Sequence, residues 1–288
     1  MAHGAQRDWS RRQVVGSAAG LASAAACGAP AASGPAAPAV SAAPASGAAQ
    51  AGAAPKAREV DADLIAARYP GLKPFPAAPP PPAVKPVNLD VAPPPVISRI
   101  PTDRKIVFVT IDDGLEKEPA FIRMAQDFQV PLTLFLTDSI IKDDYAYFTK
   151  LLDTGLVTIQ NHTLTHPDMP TLSAAEQLDQ VSGQQEKLIA EYGARPYLFR
   201  PPYGNYNAAT IAAVKQTGLK GVAVWKESMQ INDMQYQGAH VLNPGDVILS
   251  HFRGPAQLQG ETMIGMVTHL FRHIQAQGFT IARLTDYV

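Results

Sequence analysis

Cysteine is almost absent from this chain. Cys27 is the single one in 288 residues, which excludes an intrachain disulfide. An excess of one charge is missing too: 24 Lys and Arg face 25 Asp and Glu, for a formal net charge of −1, and no basic stripe runs along the sequence. That balance leaves no footprint for a nucleic-acid partner. Long apolar runs are also lacking. None reaches the roughly 18 residues that a membrane-spanning helix needs. The length allows one large domain or two small ones.

What is present is unevenly distributed. Residues 1–27 have the form of an export signal, with Arg11-Arg12 in "SRRQVVG" ahead of the weakly apolar, Ala-rich "SAAGLASAAAC". Paired arginines before a modest apolar core resemble the twin-arginine signal, which carries folded cargo. Cys27 closes this segment in "LASAAACG". Small residues ahead of a cysteine resemble a lipobox, where the thiol is lipidated, although Ala24 stands where that motif prefers leucine. The same "AAA" suits an ordinary signal peptidase, which would leave Cys27 a free thiol. Either route predicts an exported protein, at the cell surface or secreted, that meets a membrane only through a lipid on Cys27. A monomer is expected.

Residues 28–100 are dominated by Ala, Pro, Gly and Ser, as in "PAAPPPPAVKP" and "VAPPPV". Proline removes backbone donors and favours extended polyproline geometry, so this stretch predicts a disordered, semi-rigid spacer. Within it, "EVDADLIAARYPGL" at 59–72 has the pattern of a short helix that docks on the following domain.

From Pro101 the texture changes, and a domain over 101–288 is expected. Apolar runs at 105–111, 132–136, 156–160, 197–199, 220–225, 247–250 and 279–283 read as strands. Amphipathic stretches at 118–128, 144–153, 173–192, 207–217 and 261–277 read as helices. Ser173 and Glu176 form a capping box, and Gly155, Gly193, Gly218 and Gly278 stand where helices want a left-handed cap. Such alternation predicts an α/β fold of parallel strands covered by helices, closed as a barrel or left as an open sheet.

Chemistry in these folds gathers at the C-terminal strand ends. Asp112-Asp113 follow the first strand, "NHTLTH" (161–166) the third, "RPPYG" (200–204) the fourth, and His251 the sixth. Two adjacent carboxylates at the end of a buried strand repel each other and need a cation. His162 and His166 are four apart, a spacing that on a helical turn brings both imidazoles to one metal ion. Two histidines and one carboxylate leave coordination positions open, as catalysis requires. One of the two aspartates would ligate and the other would act on water.

At these positions the sequence resembles the polysaccharide deacetylase family of metal-dependent carbohydrate esterases. "TIDDG" (110–114) resembles its T-F-D-D-G, "HTLTH" (162–166) its H-[ST]-x-x-H, "RPPYG" its R-x-P-Y-G and "LSH" (249–251) its L-x-H, in family order over 104–288. The resemblance implies a distorted (β/α) barrel of seven to eight parallel strands. It implies Asp112 as general base, with Asp113, His162 and His166 as ligands of a divalent ion, zinc above cobalt or nickel. It implies a water activated for attack on an acetamide carbonyl, an oxyanion received by the Tyr203 backbone N–H, and His251 as the acid that protonates the leaving amine. Arg200 would orient Asp112, while Leu249, Tyr203 and Trp225 would line the substrate.

One motif departs from the pattern. The family's D-x-x-D-W-like stretch corresponds to "VWKESMQINDM" (224–234), where Ser228 takes the usual aspartate position and Glu227 and Asp233 stand nearby. A catalytic histidine without its carboxylate is loosely held and more weakly basic. The expected substrate is N-acetylated wall polysaccharide, peptidoglycan or chitin-like oligomers. The rivals are an O-acetyl xylan esterase and a wall-anchored carbohydrate-binding protein on an impaired scaffold.

Overall fold

The computed structural model describes residues 60–193 and 195–288; the export segment, Cys27 and the spacer up to residue 59 lie outside the described residues. Ten strands are present among the described residues. These are β1 (Val96–Ile97), β2 (Ile106–Asp113), β3 (Leu132–Leu136), β4 (Val157–Asn161), β5 (Leu198–Phe199), β6 (Gly221–Ala223), β7 (Glu227–Gln230), β8 (Asp233–Tyr236), β9 (Val247–His251) and β10 (Thr280–Ile281). The helices are α1 (Ala62–Arg68), α2 (Pro119–Phe128), α3 (Asp138–Ile141), α4 (Tyr145–Leu152), α5 (Ala174–Tyr192), α6 (Ala208–Gln216) and α7 (Met263–Ala276).

The strands form one mostly parallel sheet in the order β1-β6-β5-β4-β3-β2-β9-β7-β8, with β10 beside the start of β2. The sheet curls into a half-barrel carrying helices. All seven strands expected from the sequence are found. β1 and the antiparallel hairpin β7–β8 are additional.

Alternation along β2 sets the position of the site. Val107, Val109 and Ile111 pack outward with α2 and α7, whereas Ile106 and Phe108 belong to the inner cluster with Phe135, Leu198 and Tyr287. A strand's period of two then puts Thr110 and Asp112 on the inner face. On β9, Val247 joins the inner cluster and Ile248 the outer one, so Leu249 and His251 also face inward.

Residues 60–100 correct the sequence reading. The prediction there is a spacer interrupted by a docking helix at 59–72; the helix is found as α1, and the structure packs the rest of the stretch onto the domain as well. Asp61 caps α1, which buries Ile65, and the Arg68–Asp127 ion pair ties it to α2. Tyr69 stacks on Phe128 with ring centroids 5.2 Å apart, and Phe75 meets Phe271 edge-on at 5.2 Å. β1 pairs with β6, Val96 opposite Val222. The Ala/Pro composition hides a few widely spaced large side chains. Ile65, Tyr69 and Leu72 are buried and Phe75 is half-buried, and proline carbonyls accept hydrogen bonds, as Pro80 O does from Arg104 Nη1–H at 3.2 Å.

A chain begun at residue 101 would lose Ile65, Tyr69, Leu72, Ile97 and Ile100 from the core. Large apolar side chains contribute about 1.5–3 kcal/mol each on burial. Five of them approach the whole stability of a domain, about 5–15 kcal/mol. Urea unfolding followed by circular dichroism should show the shortened chain unfolding at much lower denaturant than one begun at residue 60. Equal midpoints would contradict this packing account.

Candidate active site

The structure brings together the site residues that the sequence singles out at the C-terminal ends of β2, β4 and β9 and on the loop after β5. Asp112 is buried, and Asp113 takes a left-handed backbone at φ 73°. Gly114 follows at φ 95°, where a Cβ would lie 2.3 Å from Ile141 Cγ2, so the chain must turn here without a side chain. Of the seven non-glycine residues with positive φ among the described residues, Asp113, Thr163, His166 and Tyr203 belong to this site. Backbone strain of about 1–3 kcal/mol per residue is therefore concentrated where the chemistry is expected.

The segment His162–His166 is not the helical turn that the spacing suggests. It is a loop with Thr163 at φ 71° and His166 at φ 62°. Side chains rather than helical bonds shape it. Thr163 N–H donates to Asn161 Oδ1 at 3.1 Å, and His166 N–H donates to Thr163 Oγ1 at 3.0 Å. The two rings nevertheless converge, with centroids 5.0 Å apart.

His162 Nδ1 lies 2.7 Å from the Arg200 carbonyl. A carbonyl only accepts, so Nδ1 carries the hydrogen and the Nε2 lone pair points away from it, into the site. His162 Nε2 lies 3.5 Å and His166 Nε2 3.2 Å from Asp113 Oδ1, and the three atoms fit within 4.8 Å of one another. Asp113 Oδ1 is buried and has no hydrogen-bond partner. The His162 Nε2 lone pair, His166 Nε2 and the Asp113 carboxylate converge on one point, where a cation would satisfy all three. This N,N,O donor set fits a divalent ion.

Asp112 sits beside this set but is held differently. Its Oδ1 accepts from Arg200 Nη1 at 2.7 Å, and its Oδ2 lies 3.7 Å from His162 Nε2. Burial raises its pKa, with Arg200 opposing. Arg200 is wholly buried; its Nη1 also donates to Thr110 Oγ1 at 2.8 Å, its Nε donates to Ala223 O at 3.0 Å, and its guanidinium lies 4.2 Å from the Phe135 ring centroid.

Tyr203 is 47% exposed at φ 60°, with its ring 4.9 Å from that of His166. Trp225 covers Gly204, where a Cβ would come within 2.9 Å of the indole, and lies 5.7 Å from the Arg200 guanidinium. Leu249 is opposite Thr110, and His251 is opposite Asp112, in the β2–β9 register.

His251 has no hydrogen bond or ion pair with a carboxylate among the described residues. Burial first, then Arg253, hold its pKa well below the ordinary imidazole value. None of the three replacements considered from the sequence orients it. Asp233 is exposed on β8. Ser228 accepts from Gln230 Nε2 at 2.8 Å. Glu227 lies opposite Ile248, buried beside Asp246, which itself pairs with Arg99 and accepts from Asn243 N–H at 2.7 Å.

Burial, and after it the Asp246 charge, raise the Glu227 pKa well above the carboxylate range. The folded chain keeps a proton there that the unfolded chain releases. Its contribution is complete below the ordinary carboxylate pKa and is lost as pH rises toward the folded value. Glu227→Gln should therefore make urea midpoints fall less steeply between about pH 5 and pH 8. An unchanged slope would show that Glu227 is ionised in the fold.

Thr110 is a site residue that the sequence reading passes over. Strand alternation two residues before Asp112 is the signal that could have identified it.

Known proteins resemble this chain in sequence and in fold. The sequence profile of the polysaccharide deacetylase family matches residues 99–222. An uncharacterised protein of Streptomyces coelicolor is 34% identical over 197 residues, spanning 68% of this chain and 78% of that one. The peptidoglycan-N-acetylmuramic acid deacetylase PdaA of Bacillus subtilis is 26% identical over 197 residues, spanning 64% of this chain and 72% of that one. Among solved structures, a pseudoenzyme of the CE4 family from Bacillus anthracis shares the fold with a TM-score of 0.56 at 20% identity, over 67% of this chain and 69% of that one. The four motifs, the half-barrel that carries them and these relatives agree: the chain belongs to the polysaccharide deacetylase family.

Proposed function

We propose that this chain hydrolytically removes acetyl groups from N-acetylated cell-wall polysaccharide, peptidoglycan or chitin-like oligomers, with a divalent ion held by Asp113, His162 and His166. The observation that carries the reading is the buried, unpartnered Asp113 Oδ1 facing two imidazole Nε2 atoms, with a second carboxylate, Asp112, alongside. Zinc suits the donor set, with cobalt or nickel as substitutes; when bound it would supply Lewis-acid polarisation of the acyl oxygen and lower the pKa of water.

The chain's own residues supply the rest. Asp112 Oδ2 is the oxygen left free by Arg200, so it takes the proton from the attacking water. The Tyr203 N–H receives the developing oxyanion. His251 delivers a proton to the departing amine, which leaves poorly without one. Leu249 encloses the acetyl methyl, and the Tyr203 ring and Trp225 flank the sugar. Arg11-Arg12 and the segment ending at Cys27 support export to the cell surface, anchored by lipid or secreted, and the substrate named by the Bacillus subtilis relative suits that location.

A second reading is favoured by one observation, that no carboxylate among the described residues partners His251. An alcohol leaves with less help from an acid than an amine does, so an O-acetyl ester such as acetylxylan would suffer less from that absence. Acetate release from peptidoglycan fragments, chito-oligomers and acetylxylan, with and without chelator, decides between them. The proposal expects chelator-sensitive release from the N-acetylated substrates. Release from acetylxylan alone would establish the ester reading. Release from none, with binding retained, would indicate a carbohydrate-binding scaffold.

A further inference from the structure

We propose that Thr110 is a positioning residue for the reaction, fixing the Arg200–Asp112 pair through its hydroxyl; the inference rests on the deacetylase reading above. Thr110 is wholly buried on the inner face of β2. Its hydroxyl donates to Ile248 O at 2.7 Å and so commits its single hydrogen to β9. A lone pair is left for Arg200 Nη1, which donates to it at 2.8 Å. Nη1 has two hydrogens, and both are now used, one on Thr110 and one on Asp112 Oδ1 at 2.7 Å. Nε is satisfied by Ala223 O at 3.0 Å, whereas Nη2 has no partner among the described residues.

The guanidinium is therefore under-satisfied, and Thr110 is one of three acceptors that define its roll. A methyl in place of the hydroxyl would leave a further N–H unpaired beside Phe135. The guanidinium would turn to find an acceptor and carry the Asp112 carboxylate with it. The hydroxyl also ties the base-bearing strand β2 to β9, which carries Leu249 and His251, so base and acid share one reference point.

The test uses the full chain with Thr110→Val, which keeps the shape, and Thr110→Ser, which keeps the hydroxyl. Thr110→Val should lower kcat about 10- to 100-fold, the usual cost of losing an outer partner of a catalytic group. KM and bound metal should stay unchanged, and Thr110→Ser should recover most of the loss. Nuclear magnetic resonance of the Arg200 N–H groups gives a readout independent of turnover. Resolved, slowly exchanging Nη1–H signals are expected in the wild type and Thr110→Ser, and shifted or broadened ones in Thr110→Val. Unchanged Arg200 signals in Thr110→Val, or an unchanged kcat, would overturn the proposal. If the wild type released no acetate from any of the three substrates, the deacetylase reading would fail separately, and the resonances would still decide the geometry.

Discussion

Asp112→Asn should lower turnover by about 10²- to 10⁴-fold, the usual contribution of general-base catalysis, while bound metal stays in place. Asparagine keeps the shape of the side chain and still offers an oxygen to Arg200 Nη1, but it accepts no proton. The neighbouring Asp113→Asn should behave differently. It weakens the charged member of the ligand set, so metal affinity falls first and added metal restores part of the activity. The contrast follows from geometry: Asp112 Oδ1 faces a guanidinium at 2.7 Å, whereas Asp113 Oδ1 faces two imidazoles at 3.2 and 3.5 Å. Steady-state kinetics with elemental analysis would check both variants. Loss of metal in Asp112→Asn would show that both aspartates ligate.

Arg200→Met should destabilise the fold by about 3–5 kcal/mol, the range for breaking a buried ion pair from one side. Both partners are almost wholly enclosed, with Arg200 at 0% and Asp112 at 2% exposure, so solvent cannot replace the lost charge. Methionine fills most of the volume and keeps the contact with Phe135, which leaves the uncompensated carboxylate as the main cost. Adding Asp112→Asn to Arg200→Met should therefore recover part of the stability. Urea unfolding of the two single variants and the double variant measures the coupling. Strict additivity would mean that the pair contributes nothing as a pair.

Much of this was legible in the sequence because strand–helix alternation and strand-end chemistry follow from local pattern. "KIVFVTI" could be only a buried strand, and Asp112-Asp113 at its end required a cation. What stayed hidden depends on partners far away in the chain. The His162–His166 spacing is right but its cause is not helical: Thr163 and His166 adopt a left-handed backbone in a loop held by the Asn161, Thr163 and Gln180 side chains. The Ala/Pro-rich stretch concealed Phe75, Ile97 and Ile100, because composition averages over the few side chains that pack. β1 is two residues long and carries no periodicity to read. Glu227 looked available to His251, but the β7–β9 register sets it opposite Ile248, which faces away from the site.

The measurement that tests the central claim most directly is the metal content of the full-length chain beside its His162→Ala/His166→Ala variant, after dialysis and re-exposure to zinc. About one divalent ion per wild-type chain is predicted, and essentially none in the double variant, since one carboxylate cannot hold the ion alone. Stoichiometric metal retained by the double variant, or none taken up by the wild type, would contradict the account.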